Sequence, residues 1–305
     1  MQQHEQQWFL MHFENRFLKL TRELFQAWFV EIMELAYPGD FTGTRQGTHK
    51  GGGDLNCDGF RVSTSTVYAV YAPRECSLKV LNDKINTDFR SVEGHFGNRM
   101  KEWIFVHNDE EPSTETILVL AALAREFPNY RMGQFMKKGE LWDVVRNLPP
   151  DRLYRLLPQF PEQAVIDRLG FKDLQPILTF LEKHSLPMDL PIEAPSSDKL
   201  SQNALSVESA DWLRIGRRKE RLVGKYFEGS HDPEYGEKIA QAFRDRYQKL
   251  KQSQWMPDSI LRELYEFAGG FKFHGQAEQA AILTVLTYFF EKCDIFENVP
   301  QRAST

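Results

Sequence analysis

Apolar positions recur at helical spacing from near the start of the chain. Over residues 5–36, Phe17, Leu20, Leu24, Phe25, Trp28, Ile32 and Leu35 fall on one stripe, which predicts a single long helix. Tyr37-Pro38-Gly39 ends it, because proline lacks the amide that a helix needs and glycine resists the helical conformation. A polar, glycine-rich hairpin region follows over residues 43–53. The pattern then changes to short β-prone runs. Residues 57–62 and 67–72 read as strands joined by a turn at Ser63-Thr64-Ser65-Thr66, and Pro73 stops the second. A polar helix is predicted over 77–89, and 102–107 reads as a buried strand. Residues 114–127 are helical, with Ile117, Leu120, Ala121 and Ala124 on one face. A strand over 130–135 and a short helix over 140–148, closed by Pro149-Pro150, complete this part.

This order of helix, strands, helix, strand, helix and strand predicts an α/β domain over residues 1–150. Residues 151–209 read as a helical connector and linker, with prolines breaking short helices as far as 184 and a Pro-, Ser- and Asp-rich run over 186–209. Residues 210–305 are helical. Ile239, Phe243, Tyr247 and Leu250 share one face of a helix over 236–252, and Ile260, Leu261, Leu264, Tyr265 and Ala268 share one over 258–269. The segment 277–293 is apolar nearly all round, which predicts the central helix of a bundle. The fold class is thus an α/β N-terminal domain followed by an all-α C-terminal domain.

Composition refines this picture in three ways. With 41% apolar residues and 23 Phe among 305, the chain can bury a sizeable core. A net charge of -5 argues against a constitutive nucleic-acid coat while leaving room for a local basic patch. Cys57, Cys76 and Cys293 are far apart and show no CxxC spacing, which fits a reducing cytoplasm better than a zinc site or a disulfide framework. No signal peptide is expected, and the apolar run 280–290 is too short to span a bilayer, so no membrane partner is expected either.

Candidate chemistry is densest at Gly51-Gly52-Gly53-Asp54-Leu55-Asn56-Cys57-Asp58-Gly59-Phe60. Asp54 and Asp58 flank the start of a strand, beside glycines that let a phosphate or metal approach the backbone. Phosphodiester hydrolysis uses such carboxylates to hold Mg2+. An Asp/Gly-rich turn uses the same residues without any metal. The following strand is where a nuclease brings a second acid and a lysine, and here both lie beyond it: Glu75 and Lys79 first, then Lys84. Those three residues equally suit a solvated helix. Glu31, with Glu34 beside it, is either a carboxylate donated by the first helix or its polar edge. His107-Asn108-Asp109 lines a site or begins a turn. Arg214, Arg217, Arg218, Lys219 and Arg221 form a basic cluster that suits DNA phosphates, an acidic partner or solvent.

The run FVEIMELAYPGDF…GGGDLNCDGF…VYAVYAPRE…EWIFVHND resembles the restriction-endonuclease-like domain of bacterial defence effectors. The run AAILTVLTYFFEKCDIFENVP is similar to the signature closing the C-terminal domains of ABC-three-component defence proteins. Together the resemblances imply a Lamassu-type antiphage effector. Such an effector works beside an SMC-like ATPase subunit and a small middle subunit, degrades DNA on activation and self-associates when released. Carried over by position, Asp58 is the metal-binding acid with Asp54 beside it. The pattern departs at Ala69 and Tyr71, where the family has an acid or amide and a lysine. One expectation is therefore Mg2+- or Mn2+-dependent DNA cleavage, with metal ligands drawn from Asp54, Asp58, Glu75 and Glu31 and a catalytic set of Asp58, Glu75, Lys79 and Lys84. Its rival is a degenerate nuclease fold acting as a DNA-binding or scaffolding subunit. A third reading is a regulatory adaptor that acts on something other than nucleic acid.

Overall fold

A computed structural model describes residues 3–44, 56–109, 111–132, 135–183, 199, 203–292 and 295–296. The chain divides into two compact units: Leu10–Leu157, and Met1–Phe9 together with Pro158–Thr305. The first mixes strands with helices and the second is helical, as the sequence predicts. No described helix is long and apolar enough to cross a membrane.

The α/β unit is organised by one five-stranded sheet in the order β1 (Phe41–Gly43), β2 (Gly59–Arg61), β3 (Thr66–Tyr71), β4 (Glu102–His107) and β5 (Arg131–Met132). The first three strands pair antiparallel, whereas β3–β4 and β4–β5 are parallel. Parallel neighbours need crossover helices. They are α3 (Leu78–Phe96) and α4 (Thr114–Glu126). Alternation along β3 and β4 sorts the layers. Val67, Ala69, Trp103 and Phe105 join Leu81, Ile85, Phe89 and Val92 of α3 in one buried cluster. Tyr68 points to the other face, where its ring lies 5.7 Å from Phe29 of α2 (Glu23–Ala36) and 5.6 Å from Phe41. Gly59 makes room for this, because a Cβ there would fall 2.2 Å from the Phe41 ring.

Several expectations are corrected. The single long helix is two, α1 (Gln3–Lys19) and α2. The apolar periodicity runs on through the break, but Arg22 adopts φ 55 and donates its amide to Ala72 O at 2.6 Å, which takes it out of the helical ladder. Of the strand foreseen over 130–135, Arg131–Met132 is strand and Val106 bridges Met136, while residues 133–134 lie outside the described residues. α4 buries Thr116 and Leu123, and leaves Ile117 and Leu118 more than half exposed. The strand β1 was not foreseen. The glycine-rich region 45–55, including Asp54, lies outside the described residues. Two short helices close the unit, α5 (Lys138–Arg146) and α6 (Pro150–Leu156), the second starting on a proline and ending at the extended Leu157.

The helical unit comprises α7 (Gln163–Asp167), α8 (Phe171–Glu182), α9 (Val207–Arg217), α10 (Glu220–Glu228), α11 (Tyr235–Gln252), α12 (Pro257–Phe267) and α13 (Gln276–Glu291) among the described residues. As predicted, α13 is buried nearly all round. α9 lies directly against it, since a Cβ on Gly216 would sit 2.3 Å from Leu283 O. Trp8 of α1 belongs to this unit: its indole donates to Pro158 O at 3.0 Å and stacks edge-on against Phe160, Trp212 and Tyr265. The predicted linker over 186–209 is mostly outside the described residues, but α9 begins within it, capped by Ser206. Lys199, 2% exposed, donates to Phe290 O at 2.6 Å and Ile295 O at 2.7 Å. Its ammonium therefore caps the carbonyl end of α13, where positive charge is favoured.

Two outcomes follow. Lys199→Met removes a charged donor from two carbonyls, and is expected to lower the unfolding free energy by about 2–3 kcal/mol in a denaturant titration. In the α/β unit, Asp40 accepts from Arg61 at 2.7 Å and from the Ser63 amide and hydroxyl, which holds its carboxyl down at about 2. Because the folded value lies below the unfolded one, this contribution is present above the unfolded carboxylate range and is lost as pH falls through about 2. Asp40→Asn is expected to lower the melting temperature slightly near neutral pH and to leave it unchanged near pH 2, which flattens the acid limb of the profile.

Candidate functional site

The site forms where the β2–β3 pairing runs out and β3 continues beside β4 only. Gly59 is the last residue of β2 to pair, opposite Tyr68, so the β3 amide at Val70 has no strand partner on that side. Asp58 takes the place of the missing rung. Its own amide donates to Tyr68 O at 2.8 Å, and its Oδ2 accepts from the Val70 amide at 2.6 Å. Its Oδ1 accepts from Gln26 Nε2 on α2. Asp58 is thereby 7% exposed and joins helix to sheet. Just past β3, Ala72 O receives the Arg22 amide and Pro73 O receives Asn108 Nδ2 at 3.1 Å.

The opposite wall comes from α3, capped by Ser77 through its Val80 amide. Leu81, Ile85, Asp88, Phe89 and Val92 are the buried residues of this helix, so Asp88 is an acid set into an apolar stripe. It is neutralised by Lys84, 2.6 Å away and one turn earlier. The Lys84 ammonium also lies 5.8 Å above the Tyr71 ring. A cavity of about 380 Å3 brings together Asp58, Glu75, Lys84 and Asp88, with Arg22, Glu23 and Gln26 at its α2 edge. It opens beyond the C-terminal end of β3, the usual position for a site in a sheet of this kind.

Three of the residues read from the sequence thus meet: Asp58, Glu75 and Lys84. Glu31 and Lys79 do not line this cavity. Each is exposed and lies five residues from a lining residue of its own helix, Gln26 and Lys84 respectively, which turns it about 140° away. Glu31 instead faces Arg16, whose pKa burial lowers and Glu31 raises. His107-Asn108-Asp109 forms a turn in which His107 Nδ1 accepts the Asp109 amide at 3.0 Å; burial pushes the imidazole pKa down. In the helical unit, Arg214 pairs with Asp211, Arg217 with Glu291 and Arg221 with Glu220, so three of the five residues of the basic cluster have an acidic partner within the unit.

The residues missed from the sequence are Gln26 and Asp88. Asp88 had a signal: it occupies a core position in the run Leu81, Ile85, Asp88, Val92, where an acid needs a reason. Gln26 had none, because an amide on a helix surface is ordinary. Among the described residues no group of three His, Cys, Asp or Glu side chains is placed to hold a metal ion. Two donors that reach Asp58 fit an anchored carboxylate: the Gln26 side-chain amide and the Val70 backbone N–H.

Asp58→Ala leaves the Val70 N–H without its charged acceptor. It is expected to cost about 2–3 kcal/mol of stability in urea or guanidinium titration. An unchanged midpoint would show that the carboxylate is no structural rung.

No curated protein and no solved structure matches the chain. The strand and helix order of the α/β unit is consistent with a restriction-endonuclease-like architecture. Residues 172–297 match the family model described as C-terminal domain 10 of the ABC-three component (ABC-3C) systems. That stretch takes in nearly all of α8 and the whole of α9 to α13. Over residues 172–297 the chain is therefore similar to the C-terminal domain 10 family of the ABC-three component systems.

Proposed function

We propose that this chain is the effector-type subunit of an ABC-three-component antiphage complex. In this reading its front unit is a catalytically degenerate nuclease fold, serving as a DNA-binding or scaffolding element. The observation that carries the reading is the state of Asp58. The acid that corresponds to the metal ligand of the resembling family is engaged by Gln26 and by the Val70 amide, and Lys84 is engaged by Asp88. β3 offers Ala69 and Tyr71 where an active enzyme would present an acid and a lysine. The partners in this reading are an SMC-like ATPase subunit, a small middle subunit and DNA, with the complex in the cytoplasm. The family match over residues 172–297 supports the assembly.

A second reading is favoured by one observation: Asp58, Glu75 and Lys84 line the same cavity, beyond the end of the central strand. This is metal-dependent DNA cleavage, with Asp58 and Glu75 as ligands of Mg2+ or Mn2+ and Lys84 as the cation beside the phosphate.

Plasmid DNA incubated with the full chain separates the two readings. With Mg2+ or Mn2+, alone and with the partner subunits, the expected outcome is retained DNA or complex binding without nicking. Metal-dependent nicking that Glu75→Gln and Lys84→Ala each reduce by about a hundredfold or more would establish the enzymatic reading instead. These two positions are better probes than Asp58, whose loss also weakens the fold.

A further inference from the structure

Tyr288 interrupts the burial of α13. Residues 279–287, Phe289 and Phe290 are covered, whereas Tyr288 is half-exposed. It opens onto a groove of about 1040 Å3 shared by α10, α11 and the C-terminal end of α13. Phe227, Tyr288 and Phe289 provide aromatic surface, Gly224 and Gly236 provide bare backbone, and Arg221, Lys225 and Lys292 carry the positive charge.

Gly224 lacks an internal explanation. It lies in the middle of α10, where glycine is a poor helix former. Gly216 is required by α13, and Gly236 by Phe227, whose ring would lie 3.0 Å from an added Cβ. Among the described residues an added Cβ at Gly224 would meet only the Tyr288 side chain, at an ordinary 3.5 Å. Packing among the described residues therefore tolerates a side chain at this position, while its absence lets another backbone come close.

The charge around the groove is uneven. Arg221 and Lys225 are one turn apart on α10, and Lys292 is one turn beyond Tyr288. Glu237 is bound by Arg244, and Glu220 lies 3.8 Å from Arg221. Neither Lys225 nor Lys292 has an ion pair among the described residues, and Arg218 and Lys219 directly precede α10, against Glu228 as the remaining acid of the lining.

We propose that this groove receives another subunit of the assembly, and that its occupant is an amphipathic helix with acidic residues beside its apolar stripe. The apolar stripe lies on Phe227 and Tyr288, the helix backbone crosses Gly224, and the acids face Lys225 and Lys292. The proposal rests on the assignment to an ABC-three-component complex and narrows that assignment to one surface.

The test uses the full chain co-expressed with the SMC-like ATPase and middle subunits of its system. Gly224→Trp fills the groove, and the double change Lys225→Glu with Lys292→Glu reverses its charge. Arg125→Glu, on α4 of the front unit, is the control. Wild type and control should co-purify with the other subunits, whereas both groove variants should bind roughly tenfold or more weakly at an unchanged melting temperature. Should Gly224→Trp fold poorly, the two surface charges decide. A photo-crosslinker replacing Tyr288 should mark an acidic amphipathic helix of another subunit; a crosslink to a second copy of this chain or to a basic segment overturns the proposal. Groove variants that co-purify as well as wild type refute the groove alone. A wild-type chain that fails to co-purify refutes the assembly reading itself.

Discussion

The carboxylate of Asp58 does the work of a strand that is not there. β3 is flanked by an antiparallel neighbour on one side and a parallel one on the other, and the antiparallel neighbour is only three residues long. Beyond its end the β3 backbone would expose an amide in a nearly buried setting, an expensive arrangement. Asp58 meets that need, and through Gln26 it also fixes α2 against the sheet. The cavity beside it exists because the strand stops early. The same shortness that requires the acid also leaves the space next to it open.

Elements with one clear period or composition were legible in the sequence. β4 was read at its full extent because Glu102–His107 is short, apolar and rich in β-formers between polar flanks. α13 was read as the central helix because no side of it is polar. Errors arose where the local pattern and the tertiary contacts disagree. Nothing in the spacing of Phe17, Leu20 and Leu24 marks the break at Arg22, which depends on a carbonyl fifty residues later in the chain. Leu24, placed on the stripe by its spacing, is 67% exposed. α4 is apolar on several sides, so periodicity could not select the buried face.

The site followed the same division. Asp58, which precedes β2, and Glu75 and Lys84, which follow β3, meet because the two strands are antiparallel, so the start of one lies beside the end of the other. Position along the chain could not separate Lys84 from Lys79, because that choice depends on the phase of α3, set by Leu81, Ile85 and Phe89 packing on the sheet. Nor could it show what each group is bonded to. Whether a carboxylate is available or already committed is a property of its neighbours, and Gln26 lies thirty-two residues away from Asp58.

Trp8 has a consequence for how the chain is made. It leaves the ribosome long before the rings it packs against, Phe160, Trp212 and Tyr265. A large apolar side chain at the start of α1 therefore has no native home until most of the polypeptide has been translated. The helical unit is closed by a piece made long before the rest of it. Its maturation waits on a long-range return of α1, and a nascent chain stalled before α12 displays an unsatisfied aromatic anchor to whatever chaperone is at hand.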